Sequence, residues 1–214
     1  MDLNSFVVQV SILALPVLFA ITLHEAAHGY VAKHFGDLTA YQAGRISLNP
    51  LRHIDPIGTV LVPLLVFFTT GFLFGWAKPV PVNFGRLRRP KQDMFWVAAA
   101  GPAANLLMAI LWVVIGNFVV PTPGSAGGWV YAMSQFGLLI NVVLMVLNLF
   151  PLPPLDGGRI AVSLLPMPYA YKFSRIEPYG MIILVLLLMT GVLGSLLGPF
   201  VNLTRNLLLF IFGS

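Results

Sequence analysis

Apolar residues run along this chain in long stretches, and the polar ones gather in short loops between them. Runs of about 18 or more predominantly apolar residues read as membrane-spanning helices. The first such run extends from Phe6 to about Lys33 and continues without a break through a polar cluster near its end. Further helices are predicted over about Asp93–Val119 and Trp129–Phe150, and a last span from Pro178 to near Gly198. The tail, Pro199 to Ser214, is too short to span if separate, and reads as a surface-lying helix.

The loops carry their own signals. Asp55-Pro56 is a helix N-cap followed by proline at the first helical position. PTPGSAGG, between the second and third predicted helices, has turn residues and no charge. In AKPVPVNFGRLRRPK, prolines and alternating valines predict an extended, edge-strand-like segment. The apolar run Ile57–Trp76 is long enough to cross, so either it spans or it dips in and returns.

Composition fixes the class. With 58% hydrophobic and 9% charged residues and a mean hydropathy of +0.89, the chain is an integral membrane protein. Asp2 and Asn4 stand where a signal peptide has a basic region, so the first segment is expected to stay as a span. No internal repeat or linker appears, and residues 1–214 read as one domain. Eleven of the twelve Lys and Arg residues fall in three clusters: Lys33, Arg45 and Arg52; Lys78, Arg86, Arg88, Arg89 and Lys91; Arg159, Lys172 and Arg175. They sit in loops between apolar runs, so the net charge of +5 reflects membrane topology and not nucleic-acid binding. If all three clusters are cytoplasmic, Ile57–Trp76 must be re-entrant. If it spans instead, the rule fails for one loop.

Two polar constellations interrupt the apolar runs. In HEAAH, His24 and His28 are four residues apart, which on a helix stacks both imidazoles on one face, about 5–6 Å apart at Cβ. That suits two ligands of one tetrahedral Zn²⁺, with Glu25 projecting beside them. The plain alternative is a pair of hydrogen-bonded interhelical histidines, although ionisable groups in hydrocarbon are costly. In NLFPLPPLDGGR, Pro151, Pro153 and Pro154 end a helix and free backbone groups that must line protein or water. Asp156 lies there as the only acidic residue between Asp93 and Glu177. It either pairs locally with Arg159 or supplies the third metal ligand, and since there is no cysteine, His, Asp or Glu must do that work.

These residues resemble the site-2 proteases, the intramembrane zinc metalloproteases of peptidase family M50. The resemblance runs through HEAAH, NPLRHIDPIGT (Asn49–Thr59), GWAKPVPVN (Gly75–Asn83), AGPAAN (Ala100–Asn105) and NLFPLPPLDGG (Asn148–Gly158), and is closest to a compact branch without PDZ or CBS domains. It implies that His24, His28 and Asp156 hold one zinc per chain, that Glu25 is the catalytic base, and that Asn148 grips the substrate backbone. An oxyanion needs donors; His53 and Asn148 are the candidates, though His53 equally reads as an interfacial loop residue beside Asp55. Asn105 either orients a ligand or serves helix packing, and His34 lies on a different helical face.

The expectation is therefore an all-α polytopic membrane protein with about four to five transmembrane helices, a re-entrant hairpin and a short β-like cytoplasmic segment. It is read as a zinc endopeptidase of the plasma membrane with its site toward the cytoplasm. Its substrates are transmembrane proteins or peptides within the bilayer, captured as an extended strand along KPVPVN. A metal-binding transporter or channel using the same His-His-Asp site is the alternative, and a catalytically silent substrate-binding protein a further one.

Overall fold

The first apolar run forms a single helix, α1 (Leu3–His34), in the computed structural model, which describes residues 3–61 and 78–213 of the chain. A polar stretch follows, holding the short helix α2 (Thr39–Gln42), a 3₁₀ turn (Pro50–Arg52) and a π-helical turn (Pro56–Leu61). Asp55 does cap that last turn: its Oδ1 accepts from the amides of Ile57 (2.9 Å) and Gly58 (2.7 Å). Beyond Leu61, the predicted re-entrant segment lies outside the described residues. On either side of it, the Lys78 amide donates to His53 O at 2.9 Å.

α3 (Pro90–Asn117) begins with proline at its first position, and Asp93 reaches back to accept from the Arg89 amide at 2.7 Å. α4 (Ala126–Asn148) is capped by Ser125, whose side chain accepts from the Gly128 amide at 3.1 Å. Four shorter or later helices complete the chain: α5 (Asp156–Leu164), α6 (Met167–Ser174), α7 (Glu177–Met189) and α8 (Val192–Phe212).

α1, α3 and α4 pack against one another as an antiparallel trio. Between α3, α4 and α8 the core is built from Ala109, Trp112, Val113, Leu138, Val142 and Leu208. Lipid is as apolar as these side chains, so association rests on close packing and interhelical hydrogen bonds. Gly137 shows how close: a Cβ there would stand 2.4 Å from the Trp112 ring. Among the described residues, α1 (from Val7), α3, α4 and α8 are long and apolar enough to cross a membrane. The protein is an all-α, multi-pass integral membrane protein. The basic clusters sit at the C-terminus of α1, the N-terminus of α3 and beyond the C-terminus of α4, which is one end of the antiparallel trio.

Three expectations need correction. The span predicted from Pro178 to Gly198 is interrupted at Gly191, whose φ of 73° ends α7 after 13 residues. The tail read as too short to span is most of α8. Residues 78–83, predicted β-like, form no strand, because their amides are committed elsewhere. Pro79 and Pro81 have none, while Lys78, Val80 and Asn83 donate to His53 O, Glu25 and Asp37. Among the described residues, only the Val82 amide of this segment has no partner.

Candidate metal centre and active site

His24 and His28 share one face of α1, as their spacing predicts, and point at the start of α5. Asp156 reaches them because the prolines after Leu149 turn the chain back and α5 begins at the aspartate itself. The turn is tight: a Cβ on Gly157 would lie 2.2 Å from Leu149 O. From the other side α3 presents Gly101, where a Cβ would fall 2.5 Å from His24 Cε1 and His28 Nε2. Only glycine lets α3 pack over the imidazoles.

Hydrogen bonds settle which ring nitrogen carries the proton. Val97 O accepts only, so His28 Nδ1, 2.7 Å away, is the donor. Asn105 Nδ2 donates to Ala20 O (3.2 Å) and to Asn141 Oδ1 (3.0 Å), which turns its Oδ1 toward His24 Nδ1 at 2.7 Å. Asn141 is fixed in turn by donating to Gly137 O at 2.8 Å. Asn105 and Asn141 are fully buried. In its neutral form each ring therefore offers a lone pair at Nε2.

Those two lone pairs meet a third. Asp156 Oδ2 is buried without a hydrogen-bond donor, 3.2 Å from His24 Nε2 and 3.3 Å from His28 Nε2, and the two nitrogens are 3.1 Å apart. Three acceptors so close repel one another unless a metal cation, or a proton on one of the Nε2 atoms, lies among them. Ligands at zinc distances from a tetrahedral centre stand about 3.3–3.6 Å apart, so the donor set fits Zn²⁺ after shifts of a few tenths of an ångström. This group could hold a metal ion. The local alternative for Asp156 is absent, since Arg159 instead faces Glu177 at 3.8 Å and stacks on the Phe84 ring.

Glu25 and Asn148 open onto the same pocket as His24, His28 and Asp156. The Val80 amide donates to Glu25 Oε2 at 2.7 Å, and so ties segment 78–83 across the mouth of the site. Asn148 spends one amide hydrogen on Leu144 O at 3.0 Å; the other remains for a ligand. His53 is elsewhere. It is 2% exposed, does not line the pocket, and its Nε2 donates to Ser47 O at 2.9 Å. A neutral imidazole has no second proton to give an oxyanion.

Sequence reasoning missed Asp37, Val97 and Asn141. Asp37 is fully buried at the end of α1, accepting from the Thr39 amide (3.0 Å) and the Asn83 amide (2.7 Å). Burial pushes its carboxyl up, but bonds from the Thr39 hydroxyl and amide and the Asn83 amide, with the Arg86 charge, outweigh that and hold it below the usual range. Asp37 thus anchors one end of the segment whose middle holds Glu25.

The family model described as Peptidase family M50 matches residues 125–191, which include Asn148 and Asp156. YwhC of Bacillus subtilis is 37% identical over 210 residues, covering 94% of this chain and 91% of that protein. Rip2 of Mycolicibacterium smegmatis is 32% identical over 178 residues, covering 82% of this chain and 66% of that protein. Both are named "putative zinc metalloprotease". No solved structure matches the chain.

Proposed function

We propose that this chain, which belongs to peptidase family M50 and is a zinc metalloprotease of the site-2 protease type, cuts peptide bonds within or beside the membrane-spanning segments of protein substrates. One observation carries the reading. A metal-ready triangle of His24, His28 and Asp156 shares a pocket with Glu25, and that pocket is built on helices long enough to cross a membrane.

His24, His28 and Asp156 would hold the zinc, which would lower the pKa of a water to about 7 and polarise a carbonyl. The chain's own residues do the rest. Glu25 takes a proton from the attacking water and returns it to the leaving amine. The Val80 amide holds Oε2, which leaves Oε1 as the working oxygen. The free amide hydrogen of Asn148, which lines the pocket, donates to a substrate carbonyl or to the oxyanion that grows from it. A helical peptide bond is shielded by its own hydrogen bonds, so the substrate must be locally extended when it enters. Segment 78–83 offers it the Val82 amide and backbone carbonyls, a sparse edge for strand-like capture.

The basic clusters at one end of the bundle support a cytoplasmic position for the site, in the cell membrane. A transport path through the same ligands finds less support. The fully buried Asn105 and Asn141 close the site on its inner side, and the carboxylate beside the metal ligands is held in place by backbone. The test is to reconstitute the protein with a single-span reporter peptide and map the products by mass spectrometry. Cuts within the span or a few residues from it are expected. Cleavage confined to water-soluble loops, or zinc flux without cleavage, overturns the proposal.

A further inference from the structure

α8 carries its polarity on the wrong side for a helix at the lipid boundary. Its buried and half-buried face, Leu193, Leu197, Val201, Leu208 and Leu209, packs on the cores formed with α3, α4 and α7. The opposite stripe recurs at helical spacing as Ser195, Pro199, Asn202 and Asn206, all exposed. The helix lies along the spans: Leu197 packs near Leu147 of α4, and Phe212 O accepts from Asn117 Nδ2 at the far end of α3 at 2.6 Å. Asn202 and Asn206 are therefore at hydrocarbon depth, about 15–21 Å from the start of the helix at 1.5 Å per residue.

Ser195 satisfies its hydroxyl within the helix, on Val192 O at 2.8 Å. Asn202, Asn206 and the half-buried Arg205 beside them have no hydrogen-bond or ion-pair partner among the described residues. Unpaired carboxamides facing lipid tails are costly, and such groups in a span face protein or water. We infer that this face of α8 docks a second copy of the same chain, with α8 against α8. A carboxamide carries donor and acceptor together, so Asn202 and Asn206 are complementary to their own copies about a two-fold axis. Arg205, a quarter-turn aside, lies at the rim, where it can donate to the facing asparagine oxygen. Residues 62–77 of the same chain are a poor cover, because their only polar side chains are Thr69, Thr70 and Trp76.

The absence of cysteine makes the test direct. Ser195→Cys and Leu203→Cys variants in lipid vesicles are oxidised alongside Leu107→Cys, a control at an exposed position of α3. Cross-linked homodimer is expected at Ser195 and Leu203 and not at Leu107. Adding Asn202→Leu with Asn206→Leu is expected to lower its yield about tenfold, while Asn→Gln at both positions retains it. Zinc content and cleavage by the Leu variant report that it is folded. Yields at Ser195 no higher than at Leu107, cross-linking unchanged by the double Leu substitution, or cross-links to a chain of another mass would each overturn the inference.

Discussion

Asn105 Oδ1 lies 2.7 Å from His24 Nδ1, and that contact is the last link of a relay that starts on a backbone carbonyl two helices away. Gly137 O orients Asn141, Asn141 orients Asn105, and Asn105 fixes the proton of His24 on Nδ1. His24 Nε2 is thereby left free to face Asp156. Outer partners of this kind typically govern metal affinity by about 10–100-fold.

Asn105→Leu is accordingly expected to weaken zinc binding about 10–100-fold in chelator competition. Asn105→Asp keeps the acceptor toward His24 and should retain most of the affinity. Asn141→Leu acts one link further away and should fall between them. Equal loss in Asn105→Asp and Asn105→Leu would show that the contact only fills space.

Gly101→Ala poses opposite demands on helix and site. Alanine favours a helix by about 1 kcal/mol over glycine, yet its Cβ would intrude 2.5 Å from both imidazoles. The variant should stay helical by circular dichroism and lose stoichiometric zinc. Full zinc retention would mean that α3 sits further from α1.

Val80→Pro removes the amide that holds Glu25 Oε2. Hydrogen bonds to charged groups contribute about 1.5–3 kcal/mol, so kcat should drop about 10–150-fold with zinc content unchanged. Val80→Ala keeps the amide and should keep most of the rate. If both variants lose activity equally, side-chain packing and not the amide is what matters.

Asp37 gives a pH signature. Its folded pKa lies below the unfolded value of 3.8, so the stability it contributes is fully present above about that pH and disappears as pH falls through the lower folded value. The difference in Tm between the wild type and Asp37→Asn should therefore be constant near neutrality and shrink below pH ~4. A difference that grows on acidification would contradict the assigned direction.

What the sequence made legible was whatever its chemistry makes rare in an apolar chain. Two imidazoles four apart, a carboxylate beyond clustered prolines and runs bounded by Pro, Gly or charge located the cluster of His24, His28 and Asp156 and the helices α1, α3 and α4. The break at Gly191 was hidden because glycine is common in membrane helices, and only its backbone angle of 73° distinguishes a helix end. Asn141 was hidden as well. A lone asparagine in LLINVVLMVL gives no sign of which neighbour it faces until α3 is packed beside α4. Segment 78–83 had the alternation of a strand, but Glu25 and Asp37 had already taken the amides that pairing needs.

The central claim, that Glu25 works as the base beside zinc held by His24, His28 and Asp156, is tested most directly by Glu25→Gln in a purified, reconstituted enzyme with a transmembrane reporter. Zinc content and cleavage rate are measured on one preparation. About one zinc per chain is expected, as in the wild type, with cleavage reduced by about 10²–10⁴-fold. Substantial cleavage by the glutamine variant would contradict the claim, and so would loss of the metal along with the activity.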